Sequence, residues 1–178
     1  MDGERALHGV HAAEPLDGRH LAPLERLARG QAARELLAAV AQVGFAGLNA
    51  EIRAAVAASD GTPLDALRQG CTAYVRFGLH SPAYYRLMFS GPVDKKAEPE
   101  LEATIHEVIE ALLGVLASCR DAGQIRPLPL DDLAALIWAE MHGLVELTLS
   151  DRLTAKRLAD GRLVAPRLIG ALITGLAP

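Results

Sequence analysis

The chain has 178 residues, 51% of them hydrophobic and only 4% aromatic, with a formal net charge of −4. That composition supplies a full core and excludes global disorder. The apolar mass is mostly Ala and Leu rather than β-branched or aromatic residues, which points away from a sandwich or barrel and towards helices. The acidic balance gives no basic face for a freestanding nucleic-acid binder.

Residues 1–30 differ from the rest. His8, His11 and His20 lie here among Gly, Pro and Asp. Residues 1–20 are expected to be poorly ordered, with two or three helical turns over Leu21–Ala28 and punctuation at Gly30. His8-x-x-His11 is a metal pair in spacing only, since zinc wants three or four protein ligands.

From Gln31 the pattern changes. Leu36, Leu37, Val40, Val43, Gly44, Leu48, Ile52 and Val56 recur at three- and four-residue steps, which predicts one long helix over about 31–58. Thr62-Pro63-Leu64-Asp65 then reads as a capping box with proline at the first helical position. The helix it opens runs to about Leu79. His80-Ser81-Pro82 breaks it, and Ser81 is placed to cap a short helix, 82–89. A charged loop carries Lys95-Lys96, read as solvated. Residues 100–122 form the next helix, ended by Gly123. Asp131 is expected to cap a helix over 132–149. A last helix over 158–176 is expected to bend at Pro166. The fold class is therefore all-α: a helical bundle of about six main helices.

The helix 132–149 is apolar on nearly every side, and the last helix repeats this with Leu168, Ile169, Leu172, Ile173 and small residues between them. A surface helix buries one stripe, so all-round hydrophobicity implies cover from two directions. The economical solution is a homodimer whose last two helices pair with their copies as a four-helix bundle. Its interface would use Leu136, Leu144, Leu147, Leu168, Ile169, Leu172 and Ile173. The alternative places both helices at the centre of a monomeric bundle.

Catalytic sets are absent from the pattern. There is no Gly-rich phosphate loop, no Gly-x-Ser-x-Gly, and no paired Glu-x-x-His. Cys71 and Cys119 are 48 residues apart, neither a disulfide framework nor a zinc spacing, and read as buried free thiols. No enzyme, cofactor or metal is expected. No signal peptide or membrane span is read in the chain, so a cytoplasmic protein is expected.

Two segments carry a family resemblance. Tyr74-Val75-Arg76-Phe77-Gly78-Leu79-His80-Ser81-Pro82-Ala83-Tyr84-Tyr85-Arg86-Leu87-Met88-Phe89 and Ile137-Trp138-Ala139-Glu140-Met141-His142-Gly143-Leu144-Val145-Glu146-Leu147 resemble the C-terminal regulatory domain of TetR-family transcriptional repressors. The subgroup is the one with a Trp and a His-Gly pair on the first dimerisation helix. The likeness covers about residues 33–176, so residues 31–178 are assigned to this domain. The resemblance implies a homodimer that encloses a small, largely apolar ligand, with operator DNA read by an N-terminal helix-turn-helix. Leu27, Ala28, Arg29, Gly30 and Ala33 stand where such a head carries an aromatic-x-His-Phe run and a Lys. Residues 1–30 are therefore expected to be a degenerate segment without a complete head. The rival expectation is an interaction module without a pocket that pairs with an intact regulator.

The candidate ligand residues are Cys71, Tyr74, Phe77, Tyr85, Met88, Trp138, Met141 and His142. Trp138 and His142, four apart, share a helix face. His142 is either a polar handle for the ligand or a core histidine bonded to a neighbouring helix. Cys71, Tyr74 and Phe77 are core by spacing alone, yet most of the few aromatics cluster over Tyr74–Phe89, as in apolar pockets. Tyr84, Tyr85 and Arg86 are expected to be partly exposed, with Arg86 pairing with a carboxylate. A cavity between the helices 63–79, 100–122 and 132–149 would favour sensing over scaffolding.

Overall fold

A computed structural model describes residues 18–91, 93–155 and 161–178, with side chains described from Gly30 onward outside 154–163. Its helices are α1 (Gly18–Ala57), α2 (Pro63–His80), α3 (Pro82–Ser90), α4 (Pro99–Asp121), α5 (Leu130–Leu149), α6 (Arg152–Ala155) and α7 (Gly161–Leu176), with a 3₁₀ turn at Lys95–Ala97. No strand occurs among the described residues. The all-α expectation holds. His8 and His11 lie outside the described residues.

The largest departure is at the front. α1 starts at Gly18 and runs unbroken through Gly30, because an isolated glycine lowers helix propensity without ending a helix. The 1–30 boundary is therefore not a structural break. The buried stripe of α1 also differs from the expected one. It runs through Ala38, Ala41, Phe45 and Leu48, whereas Leu36 and Val43 are 64% and 60% exposed. Alanines pack a helix closer than leucines, and periodicity weighted by side-chain size missed them.

α2 is the central helix: it touches α1, α3, α4, α5 and α7. Its start is as read. Thr62 accepts from the Asp65 amide, and the Asp65 carboxylate accepts from the Thr62 amide at 3.1 Å. Gly78 lets α2 approach α5: a Cβ there would lie 2.6 Å from Val145 Cγ1. Ser81 makes no side-chain cap for α3. α5 begins at Leu130 with Pro129 at the cap, so Asp131 sits inside the first turn, where a carboxylate still favours the helix dipole. Gly123 ends α4 in the left-handed region, φ +68.

The α4–α5 linker is tied to the far end of the bundle. The Arg126 amide donates to the Leu176 carbonyl at 2.9 Å. Its guanidinium donates to the carbonyls of Ala177, at 3.1 Å, and Gly175. These are the carbonyls that the end of α7 leaves without helical partners.

Asn49 on α1 is a buried polar side chain that the sequence did not flag. Its amide nitrogen donates to Glu107 on α4 at 3.1 Å, and its oxygen accepts from Arg53 at 3.0 Å.

Candidate ligand pocket

Four helices leave a slot between them. α1 contributes Phe45, Leu48, Ile52 and Val56; α2 contributes Leu67, Gly70, Cys71 and Tyr74. α4 contributes Ile105, Val108, Ile109, Leu112 and Val115, and α5 contributes Ile137, Trp138 and Met141, with Phe89 of α3 closing one end. No charged side chain lines it. The cavity is about 70 Å³ and partly open to solvent, below the ~150 Å³ that admits benzene in an engineered core. Side chains must therefore shift for a ligand to enter. The α4 wall is only half-buried and Trp138 is 43% exposed, so the yielding parts lie on that side.

Four of the eight expected ligand residues line this slot: Cys71, Tyr74, Trp138 and Met141. The other four lie beside it. Tyr85 is fully buried rather than partly exposed, since an aromatic so close to the helix crossing is covered from α2 and α5. The Tyr85 hydroxyl lies 3.1 Å from the Tyr74 hydroxyl and 2.6 Å from His142 Nδ1. The Tyr85 and His142 rings stack at 5.6 Å. His142 therefore has an internal partner and stands behind the wall. Phe89 bridges both groups, 4.8 Å from His142 and 5.4 Å from Phe45. Met88 is buried against Gly44 of α1 and Phe77 packs near Gly47, so both serve the core. Tyr84 is exposed as expected. Arg86 finds the Leu149 carbonyl at 3.4 Å rather than a carboxylate.

Electrostatics keep the slot neutral. Burial pushes the Cys71 thiol up to about 12. Burial also raises Tyr74 to about 12, and a nearby Glu146 carboxylate adds to the rise, while bonds from Tyr85 and Trp138 oppose it. Tyr85 is raised further by burial and by its neighbours Tyr74 and Glu146. Neither phenol ionises at ordinary pH. Cys119 is likewise a buried thiol raised by burial. Among the described residues no cluster of three or more potential metal ligands occurs, and none of the helices is long and apolar enough to cross a membrane.

Helix 100–122 was expected as one wall of such a cavity, and Leu48, Ile52 and Val56 were on the expected α1 stripe, but no residue of α1 or α4 was named as a ligand contact, and Phe45 was absent from the expected stripe. An apolar face is the same pattern whether it meets a solid core or a void.

The proposed interface residues divide. Leu144, Ile169 and Ile173 are buried in this chain's own core, so they are not free to meet a second copy, and Leu172 is half-buried. Leu136, Leu147 and Leu168 are 49%, 40% and 38% exposed. They fall on one stripe of α5, with Ala139 and Gly143 between, and one of α7, with Ala171 and Gly175.

A helical bundle of this order around an apolar slot has the build of a transcription regulator's C-terminal half. The family model for the tetracyclin repressor-like C-terminal domain matches residues 67–172, and the chain belongs to that family. Two solved structures share the fold. A protein of unknown function from Rhodococcus sp. RHA1 is 24% identical, with a TM-score of 0.72 over 80% of this chain and 72% of its own. A bacterial regulatory protein in the TetR family from Rhodococcus RHA1 is 18% identical, with a TM-score of 0.66 over 81% of this chain and 74% of its own. No curated protein matches the chain.

Proposed function

We propose that this chain is a homodimeric, small-ligand-sensing regulatory domain of the TetR family, and that its ligand is uncharged and largely apolar. The observation that carries the reading is the slot between α1, α2, α4 and α5, lined without a charged side chain. A buried charge without a partner costs several kcal/mol, so a ligand with an ionised group at its centre is refused. Sensing then requires that ligand binding favour one of two arrangements of the dimer, since a ligand with equal affinity for both shifts nothing.

The exposed leucines of α5 and α7 support the homodimer. Leu136, Leu147 and Leu168 stand in apolar stripes with glycine and alanine between them, and small residues permit close helix approach. A twofold arrangement would cover both stripes at once.

The DNA-reading head is proposed to be degenerate over residues 1–35, because Leu27, Ala28, Arg29, Gly30 and Ala33 lack the head's signature. Sequence-selective binding of this chain to double-stranded DNA at physiological salt would overturn that part. For the rest, the decisive experiment pairs two measurements. N-phenyl-1-naphthylamine, a neutral apolar fluorophore, should brighten on binding, and wild type should sediment as a dimer that Leu147→Asp splits. No fluorescence gain would remove the sensor. An unchanged sedimenting species would remove the proposed interface.

A further inference from the structure

The slot is apolar along its length and polar at one place. Ile105 to Val115 along the α4 wall covers ten residue steps, about 15 Å at the helical rise. The slot is therefore long against its small volume, which suits an extended chain or a flat ring system. Its hydrogen-bonding atoms are few. Cys71 offers a weak, neutral thiol. Trp138 offers an indole N–H, which can only donate and faces the Tyr74 oxygen.

Tyr74 differs from both. It is a wall residue, yet its hydroxyl belongs to a chain that continues out of the slot to Tyr85 and His142. A hydroxyl has one proton and two acceptor positions, so Tyr74 can hold Tyr85 and the Trp138 N–H and still meet one further group from the slot. Behind the wall, Tyr85 is gripped twice, by the 2.6 Å contact with His142 and by ring contacts with Tyr74 and Phe89 at 6.1 and 4.7 Å. That grip fixes where the Tyr74 hydroxyl sits.

We propose that Tyr74 is the specificity-determining residue of the slot, taking the single hydroxyl or carbonyl of an otherwise hydrocarbon, uncharged, elongated ligand, with Tyr85 as its positioning residue. The proposal rests on the sensing reading of the slot and adds which polar group the ligand carries and where it binds. Glu146 reinforces the exclusion of anions. Its buried Oε1 has no hydrogen-bond partner, and its charge bears on both phenols.

The test displaces bound N-phenyl-1-naphthylamine with 1-decanol, decane and decanoate, on wild type, Tyr74→Phe and Tyr85→Phe. One neutral hydrogen bond is worth about fivefold in affinity. Wild type should therefore hold 1-decanol about fivefold better, relative to decane, than Tyr74→Phe does. Decanoate should compete at least about tenfold less well than 1-decanol. Tyr74→Phe leaves Tyr85 bonded to His142, so the slot should persist, and the preference is read as the ratio of 1-decanol to decane affinity within each variant. Tyr85→Phe should likewise lower the ratio of 1-decanol to decane affinity, whereas a general loss of packing would weaken both alike and leave that ratio unchanged. Retention of the full 1-decanol preference by Tyr74→Phe, or decanoate binding as tight as 1-decanol, would overturn the anchor while leaving the slot intact. Failure of wild type to bind the fluorophore would overturn the slot itself, and the anchor with it.

Discussion

The Tyr85 hydroxyl meets His142 Nδ1 at 2.6 Å across 57 residues of sequence, joining α3 to α5 behind the ligand slot. The same hydroxyl also meets Tyr74, so one oxygen links three helices. Tyr85→Phe removes it and leaves the buried Tyr74 hydroxyl and the half-buried His142 each short of a bond. Leaving a buried polar group unpaired costs about 1–3 kcal/mol. Urea unfolding should show a loss in that range for Tyr85→Phe and a smaller one for Tyr74→Phe, which leaves the His142 bond in place. Equal losses would contradict the central position of Tyr85.

Two glycines should respond in opposite directions to alanine. At Gly78 the new Cβ would meet both Val145 methyls and Tyr85 Cδ2, at 2.6, 3.0 and 3.1 Å. Overpacking of this kind costs about 1–3 kcal/mol. At Gly114, inside α4, nothing lies within 4 Å, and Ala is the better helix former by about 1 kcal/mol. Thermal unfolding should show Gly78→Ala melting below wild type and Gly114→Ala above it. A stabilised Gly78→Ala would mean that α2 and α5 are not in close contact there.

Alkaline pH should destabilise the fold. Cys71 and Tyr74 are neutral acids whose folded values, about 12, lie above their ordinary 9.0 and 10.0. Their contribution is complete below pH 9 and is lost as pH rises towards 12, because the unfolded chain releases those protons first. Chemical unfolding measured between pH 8 and 12 should show a falling midpoint, and Cys71→Ala should flatten the part of the slope nearest pH 9. At the acid end the sign is opposite. The Thr62 amide and hydroxyl hold the Asp65 carboxyl below its ordinary 3.8, so its contribution fades as pH drops through that region.

The capping box gives a local check. Thr62→Ala removes the acceptor for the Asp65 amide and should cost about 1 kcal/mol. α2 touches five other helices, so the loss should appear in global unfolding rather than as fraying of one end. Amide exchange confined to residues 62–66 would argue the reverse.

Local chemistry was the legible part of this chain. Thr62, Pro63 and Asp65 announce the start of α2, Pro82 and Gly123 mark two boundaries, and each acts through neighbours a few residues away. Burial was less legible. α1 hides Ala38 and Ala41 and exposes Leu36 and Val43, because the crossing distance selects small residues. Tyr85 looked amphipathic and is fully buried, since its two hydroxyl partners come from α2 and α5. The cavity was expected between α2, α4 and α5, but contact residues were named only on α2, α3 and α5, where aromatics are conspicuous. Those of α4 were not singled out because aliphatic residues look alike whether they face a void or a neighbour.

Arg126 has a consequence for handling the molecule. It grips the final turn of α7 through three carbonyls, Gly175, Leu176 and Ala177. The C-terminal tail is thus stitched to the α4–α5 junction, and a purification tag joined directly to it would pull on the same stitches that set the register of α7 beside α5.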